Sequence, residues 1–356
     1  MHAFRSTSVL VTGGAGFVGS NLVRMLLDGG ASVHVVDNLL SAEPWSLVES
    51  DRLTFTEGSI ADDEVLAKVA DEYDYIFHLC TYHGNQSSIH DPVADHEHNQ
   101  RTTVKLYEHV KHYRRLRRLV YSGAGCAVAK KTFGEATATT EDSAVSFEMD
   151  SPYSISKLTG ELYSVYYVQQ YRTPIVRARF QNVYGPGEVL GAGRWRGTPA
   201  TVWRNVVPTF VYKALASEAL PLEGGGQATR DFVFVEDIAR GLAACALRGE
   251  PGDVYNLASG SETTIAELAH TINALTGNPT PVQDVPGRPW DRSGRRYGSP
   301  EKARRALGFE VQVAMNEGLR RTIAWTREQL PRIEACMARH QADLAAYERA
   351  HQNPHP

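Results

Sequence analysis

No CxxC pair, no long apolar run and no marked charge imbalance occur in this chain of 356 residues, and each absence closes a class of function. The four cysteines, Cys80, Cys126, Cys245 and Cys336, stand far apart, which points to reduced thiols in a cytoplasmic protein rather than a disulfide framework. No apolar stretch reaches membrane-spanning length, and the first one, in "SVLVTG", is too short for a signal-sequence core, so no membrane partner is expected. A net charge of -4 gives no electrostatic reason to expect nucleic acid or an anionic surface. Internal repeats and low-complexity tracts are missing as well.

What is present is an ordinary globular composition, 42% hydrophobic and 22% charged, in a chain long enough for one large domain or two intimate ones. Short apolar runs alternate with helical periodicity: "SVLVTG", "GSNLVRMLLDGG", "SVHVVD", "LTFTEG", "DDEVLAKVADE", "YIFHLC", "TTVKLYEHVKHY", "RLVYSG". That order predicts an α/β fold, a Rossmann-type doubly wound parallel sheet with helices on both faces. After Arg179 a Gly/Pro/Trp-rich segment opens a smaller, interleaved substrate lobe. The expected division is 1–179 for the dinucleotide domain, with 231–258 returning to it through a strand, an Asp-capped helix and a further strand. Residues 180–230 and 259–330 form the substrate lobe, and 331–356 a helical tail, read as solvated or as a subunit contact, with no metal site.

In "VLVTGGAGFVGSNLV" Gly13, Gly16 and Gly19 lie between the first strand and the first helix. Glycines there permit a tight turn, close approach of the backbone to a pyrophosphate and close helix packing. Asp37 follows at the end of "SVHVVD", about 20 residues on, where a carboxylate accepts from both ribose hydroxyls. An acid at that place repels a 2′-phosphate, so NAD is expected over NADP. In "SPYSISKLTGELYSVYYVQQY" Tyr153 and Lys157 are four residues apart on one helix face. A phenol next to an ammonium and a nicotinamide charge gains the stabilised phenolate that base chemistry near neutrality requires.

"TGGAGFVG", "FHLC", "YSISK", "NVYGPG" and "RDFVFVEDIA", in this order, resemble the extended short-chain dehydrogenase/reductases, the family of NAD-dependent nucleotide-sugar epimerases and dehydratases. The resemblance implies Tyr153 as the base and Lys157 as the group that holds the nicotinamide ribose. It implies a cofactor cleft built from Gly13, Gly16, Phe17, Val18, Gly19, Asp37, Asn38, Ser59, Ile60, Leu79, Cys80, Thr81, Asn99, Tyr153 and Lys157. Asp62 falls where the family has its adenine-binding acid, with Ile60 the nearer neighbour of the ring. Asn182, Arg230 and Arg288 would meet the substrate diphosphate, the arginines bidentately.

The stretch "LVYSGAGCAVA" departs from the family pattern. Where these enzymes carry the Ser or Thr that relays a proton between sugar and Tyr, this chain has Ala124. The 4,6-dehydratases follow with an Asp-Glu pair, replaced here by Gly125 and Cys126. Cys126 matches the acid/base cysteine of a 3,5-epimerase branch, and that branch also draws a Lys from the segment after "YGP", where Arg194 and Arg196 stand. The leading expectation is an epimerase acting on a nucleotide-diphosphate sugar through a transient 4-keto sugar, C4 inversion favoured, with Tyr153 reaching the sugar oxygen directly, through Ser122 or through water. The alternatives are C3/C5 inversion with Cys126, a 4,6-dehydratase or net oxidoreductase, and a non-catalytic NAD-sensing protein. A homodimer is expected. The segment 187–203, with Arg194 and Arg196, is expected to be a lid that selects an anionic or unusually substituted sugar.

Overall fold

The computed structural model of the chain describes residues 2–82, 84–128, 132, 134–145, 147–288, 291 and 294–352. The β-branched and aromatic runs form β1 (Ser8–Thr12), β2 (Ser32–Asp37), β3 (Leu53–Glu57), β4 (Tyr75–His78), β5 (Arg118–Ala124) and β6 (Ile175–Phe180). Four short strands follow, β7 (Asn182–Tyr184), β8 (Pro221–Glu223), β9 (Thr229–Arg230) and β10 (Phe232–Phe234), then β11 (Val254–Leu257), β12 (Thr263–Thr264) and β13 (Gln283–Val285). Among the described residues the main sheet has seven parallel strands in the order β11-β6-β5-β4-β1-β2-β3. β4 is buried along its whole length, as a strand covered on both faces must be. The strand order reverses between β1 and β4, which opens a crevice at their carboxyl ends.

One face of the sheet is covered by the helices Phe17–Asp28 and Val235–Arg248, whose Leu22, Leu26, Ile238 and Leu242 are buried with Val9, Val11 and Phe77. Helices Thr102–Val110 and Pro152–Tyr171 cover the other, with Leu106, Tyr107 and Tyr167 against Ile76 and Leu119. The smaller lobe has its own core, where Phe210, Leu268, Ile272, Leu319 and Ile323 meet. Among the described residues no helix is long and apolar enough to cross a membrane, and Cys80, Cys245 and Cys336 are free thiols.

Three local expectations change. In "DDEVLAKVADE" only Asp63–Leu66 is α-helical, because Lys68 and Val69 N–H bond three residues back, at 3.1 and 2.9 Å, and wind the turn up. The helix Val235–Arg248 has no side-chain cap; Asp237 in its first turn instead accepts from the N–H groups of Gln312 and Val313 at 2.9 and 3.1 Å. The tail is not simply solvated. Helix Met315–Ala338 continues through Pro331, burying Ile333 and Cys336 against Val189, Leu190 and Ala192, and the His340 ring Nε2 lies 2.9 Å from the Gly191 carbonyl.

Candidate active site

β1 ends in a turn that only glycine fits. Gly13 has φ +76°, and a Cβ there would stand 2.5 Å from the Cys80 nitrogen; one on Gly19 would stand 2.1 Å from the Gly13 carbonyl. Helix Phe17–Asp28 therefore packs directly on the turn, and Gly16 at its N-cap offers no side chain between the helix terminus and the cleft. Asp37, at the end of β2 and nearly buried, accepts from the N–H of Ala15 at 3.0 Å and of Leu39 at 2.9 Å. Burial pushes its carboxyl above the usual range, with those backbone donors opposing. Gly13, Gly16, Phe17, Val18, Gly19, Asp37, Asn38, Ser59, Ile60, Leu79, Cys80 and Thr81 all line one cleft of about 740 Å³. A buried acid at the end of β2, a side-chain-free helix N-terminus and Ile60 on the same cleft fit a dinucleotide.

The same cleft is floored by β5 and helix Pro152–Tyr171, with Ser122, Ala124, Tyr153 and Lys157 exposed to it. The helix starts at Ser151, whose Oγ accepts from the Ser154 N–H at 3.3 Å, with Pro152 in its first turn. It sits close on the sheet because Gly160 leaves room for the Tyr121 ring, whose hydroxyl would be 2.1 Å from a Cβ there. That approach brings the Lys157 ammonium to Ser122, donating to its carbonyl at 3.0 Å and its Oγ at 3.3 Å. Lys157 Nζ lies 5.9 Å from the centre of the Tyr153 ring. Ser122 Oγ in turn donates to the His78 carbonyl at 2.9 Å, so its proton is already committed. His78, with Thr12 and Thr103 hydroxyls at 2.7 and 3.0 Å, is kept neutral; burial, aided by the Lys157 charge, pulls it down to about 3. Ala124 is on the same face of β5 as Ser122 and adds no donor or acceptor. The backbone of Cys126 lies in the turn Gly125–Ala127, and its side chain is outside the described residues.

Several expected ligands sit elsewhere. Asn99 does not line the cleft. It is buried in a π-helical turn, His96–Arg101, where Oδ1 accepts from Thr81 Oγ1 at 2.9 Å and Tyr82 N–H at 2.7 Å while Nδ2 donates to Asp95 at 2.7 Å. These bonds tie it to the loop after β4. Arg194 and Arg196 are drawn away from the substrate side, because Gly193 lets the backbone press on Leu40, whose carbonyl would be 2.3 Å from a Cβ. Arg194 donates to the Asn38 carbonyl at 3.1 Å and Arg196 to Ser41 Oγ at 2.9 Å. Arg194 and Asp62 border a second recess beside Asn38 and Ser59. The stretch from Val189 to Thr198 is largely buried, a strap fastened to the loop after β2.

The opposite wall holds Asn182 on β7, Arg230 on β9, and Arg288. Arg230 Nη1 donates to the carbonyls of Thr229 and Gly294 at 2.7 and 2.9 Å, and Nη2 stands 3.5 Å from Asp291. Arg288 pairs with Glu223 at 2.6 Å. Sequence reading pointed to Arg204 as a substrate-segment cation, but did not anticipate Glu188, Asn205, Lys213, Glu223, Asp291 and Arg296 in this wall. Asn205 had a signal, since it precedes the apolar helix Val206–Leu215 directly. The others converge only through long-range packing.

Residues 9–258 match the model of the NAD dependent epimerase/dehydratase family. The chain is 59% identical to the Bordetella bronchiseptica enzyme WbmF, solved in complex with NAD+ and UDP, with a TM-score of 0.88 over 98% of this chain and 100% of that one. It is 42% identical to the epimerase Mth375 of Methanothermobacter thermautotrophicus, with a TM-score of 0.86 over 94% and 96% of the two chains. Among curated proteins, the UDP-glucose 4-epimerase of Mycolicibacterium smegmatis is 32% identical over 326 residues, covering 90% of this chain and 98% of that one.

Proposed function

The chain belongs to the NAD-dependent epimerase/dehydratase family, and on that premise we propose that it is an NAD-dependent epimerase of nucleotide-diphosphate sugars working through a transient 4-keto sugar. The observation that carries this reading is the meeting, in one cleft, of the glycine turn and Asp37 with Tyr153 and a Lys157 held by Ser122. Asp37 would take the adenosine ribose, the helix N-terminus at Gly16 the pyrophosphate, and Lys157 the nicotinamide ribose. NAD, when bound, supplies the acceptor for the sugar's hydride and returns it, so no net redox occurs.

Tyr153 takes the proton of the C4 hydroxyl, and the Lys157 charge favours the phenolate. Ser122 Oγ donates to the His78 carbonyl, and Ala124 stands in the relay position; both support a route from the sugar oxygen to Tyr153 directly or through water over one through Ser122. Arg230, Arg288 and Asn182 hold the diphosphate. Among the described residues that line the cleft, the carboxylates are Asp37, Glu188, Glu223 and Asp291. None stands on β5 or on the Tyr153 helix, where elimination of a hydroxyl would want an acid. That favours epimerisation over 4,6-dehydration.

The test is turnover of UDP-glucose and UDP-N-acetylglucosamine by the NAD-loaded protein, followed by NMR. A C4 epimer with no lasting change in NADH absorbance is expected; accumulation of NADH or of a 6-deoxy-4-keto product overturns the reading. A second copy of the chain is proposed to cover the outer face of helix Pro152–Tyr171, where Leu162 and Tyr166 stand 62% and 48% exposed beside Ile155 and Tyr163; a monomeric mass in solution refutes it. Free thiols at Cys80, Cys245 and Cys336 support a reducing, cytoplasmic setting.

A further inference from the structure

Glu188 is 4% exposed, lines the cleft, and has one oxygen engaged and one idle. Oε1 accepts from the Asn205 amide, while Oε2 makes no hydrogen bond. We propose that Glu188 is a proton-linked ligand for a nucleotide diphosphate: in the loaded cleft its carboxyl is protonated, and Oε2–H donates to a phosphate oxygen. This rests on the reading of the cleft as a site for NAD and a nucleotide sugar.

The placement argues for it. The residue before it, Gly187, packs on the dinucleotide helix, its Cβ position 3.0 Å from Asn21 Nδ2, and that amide donates to the Pro186 carbonyl at 3.0 Å. Glu188 therefore follows directly on a residue packed against the first turns of the helix whose N-terminus is proposed to take the phosphate charge. An ionised carboxylate there would repel a diphosphate, whereas a neutral one offers an O–H donor. Asn205 donates to Oε1, which makes Oε1 the carbonyl oxygen and leaves the proton to Oε2. A buried donor without an acceptor is costly, and a phosphate oxygen removes that cost.

The charges around it set the balance. Burial pushes the carboxyl up to about 7, while Arg204 on the same segment favours its ionised form. Behind Arg204 lies Glu43 from the loop after β2, itself paired with Arg339 at the end of helix Met315–Ala338. The groups of the dinucleotide helix that face the adjoining Gly187, namely Phe17, Ser20 and Asn21, are uncharged. When a ligand arrives above neutral pH, one proton moves from solvent to Glu188 and none is released elsewhere.

Calorimetric titration in two buffers of different ionisation heat counts that proton. In one arm cofactor-free full-length protein is titrated with NAD, in the other NAD-loaded protein with UDP-glucose; neither diphosphate diester titrates near neutrality. At about pH 8 the wild type should take up close to one proton in one of the arms, and the affinity there should fall roughly tenfold per pH unit above about 7. Uptake with NAD assigns the contact to the cofactor, and uptake with UDP-glucose assigns it to the sugar nucleotide. Glu188→Gln keeps a donor that cannot ionise, so it should abolish the uptake and flatten the profile. No uptake by the wild type in either arm, or unchanged uptake in Glu188→Gln, overturns the proposal. Binding of NAD without binding of any UDP-sugar tried would instead remove the substrate reading, and the NAD arm would still decide Glu188.

Discussion

Gly13, Gly19 and Asp37 shape the cofactor wall of the cleft through backbone contacts, the Asp37 oxygens each held by an N–H of a neighbouring loop. Across from them, Arg230 faces Asp291 and Arg288 faces Glu223, partners that are remote in sequence, and Arg204 reaches the carbonyls of Ser41 and Ala192. The cofactor wall is thus preset by chain geometry, and the substrate wall by side-chain charges that already have internal partners. On the proposed reading, an incoming diphosphate would compete with Asp291 and Glu223 for the guanidinium groups.

The deepest cut between chemistry and either wall is Tyr153→Phe. Loss of the ionisable oxygen should lower kcat by about 10²- to 10⁴-fold with NAD and UDP-sugar affinities unchanged, as measured by steady-state kinetics and titration; activity near the parent's would remove Tyr153 from its role. Next in size, Gly13→Ala forces an L residue to φ +76° with a Cβ 2.5 Å from Cys80 N. A cost of about 1–3 kcal/mol is expected, seen as a lower Tm and weaker NAD binding. A mutant that loses UDP-sugar affinity instead would break the division of labour between the walls. Arg230→Gln should raise KM by roughly 10- to 100-fold, the loss of a charged hydrogen bond, and leave NAD retention alone. The smallest effect sharpens the comparison most. Asp291→Asn frees Arg230 from its internal partner and should lower KM by a few-fold, the worth of a partly exposed ion pair; a raised KM would mean that Asp291 positions Arg230 more than it competes with substrate.

The cofactor wall was legible in the sequence because its parts are consecutive: a strand, a glycine turn, a helix, and an acid at the next strand end. Tyr153 and Lys157 were legible for the same reason, being one helical turn apart. For Arg194 and Arg196 the sequence showed the cations of a long connection but not their partners: neither lines the main cleft, and both bond the loop after β2. No local pattern shows that Gly193 turns that connection onto Leu40. For Asn99 the neighbourhood was legible, but not the π turn that directs its amide to Thr81, Tyr82 and Asp95. Glu188 and Asp291 were invisible because each acquires meaning only from a residue in a different stretch of chain.

The contact of Gly191 with the far C-terminal region has a practical consequence for handling the protein. A Cβ on Gly191 would stand 2.7 Å from the Met337 nitrogen, and the buried His340 ring meets the Gly191 carbonyl. A truncation ending before Ile333 strips the backing from the strap that holds the loop after β2, whereas Glu348, Arg349 and Ala350 are exposed. Shortening this chain to its first strands and helices would also remove helix Val235–Arg248 and β11, whose Ile238, Leu242 and Leu257 complete the core around the glycine turn.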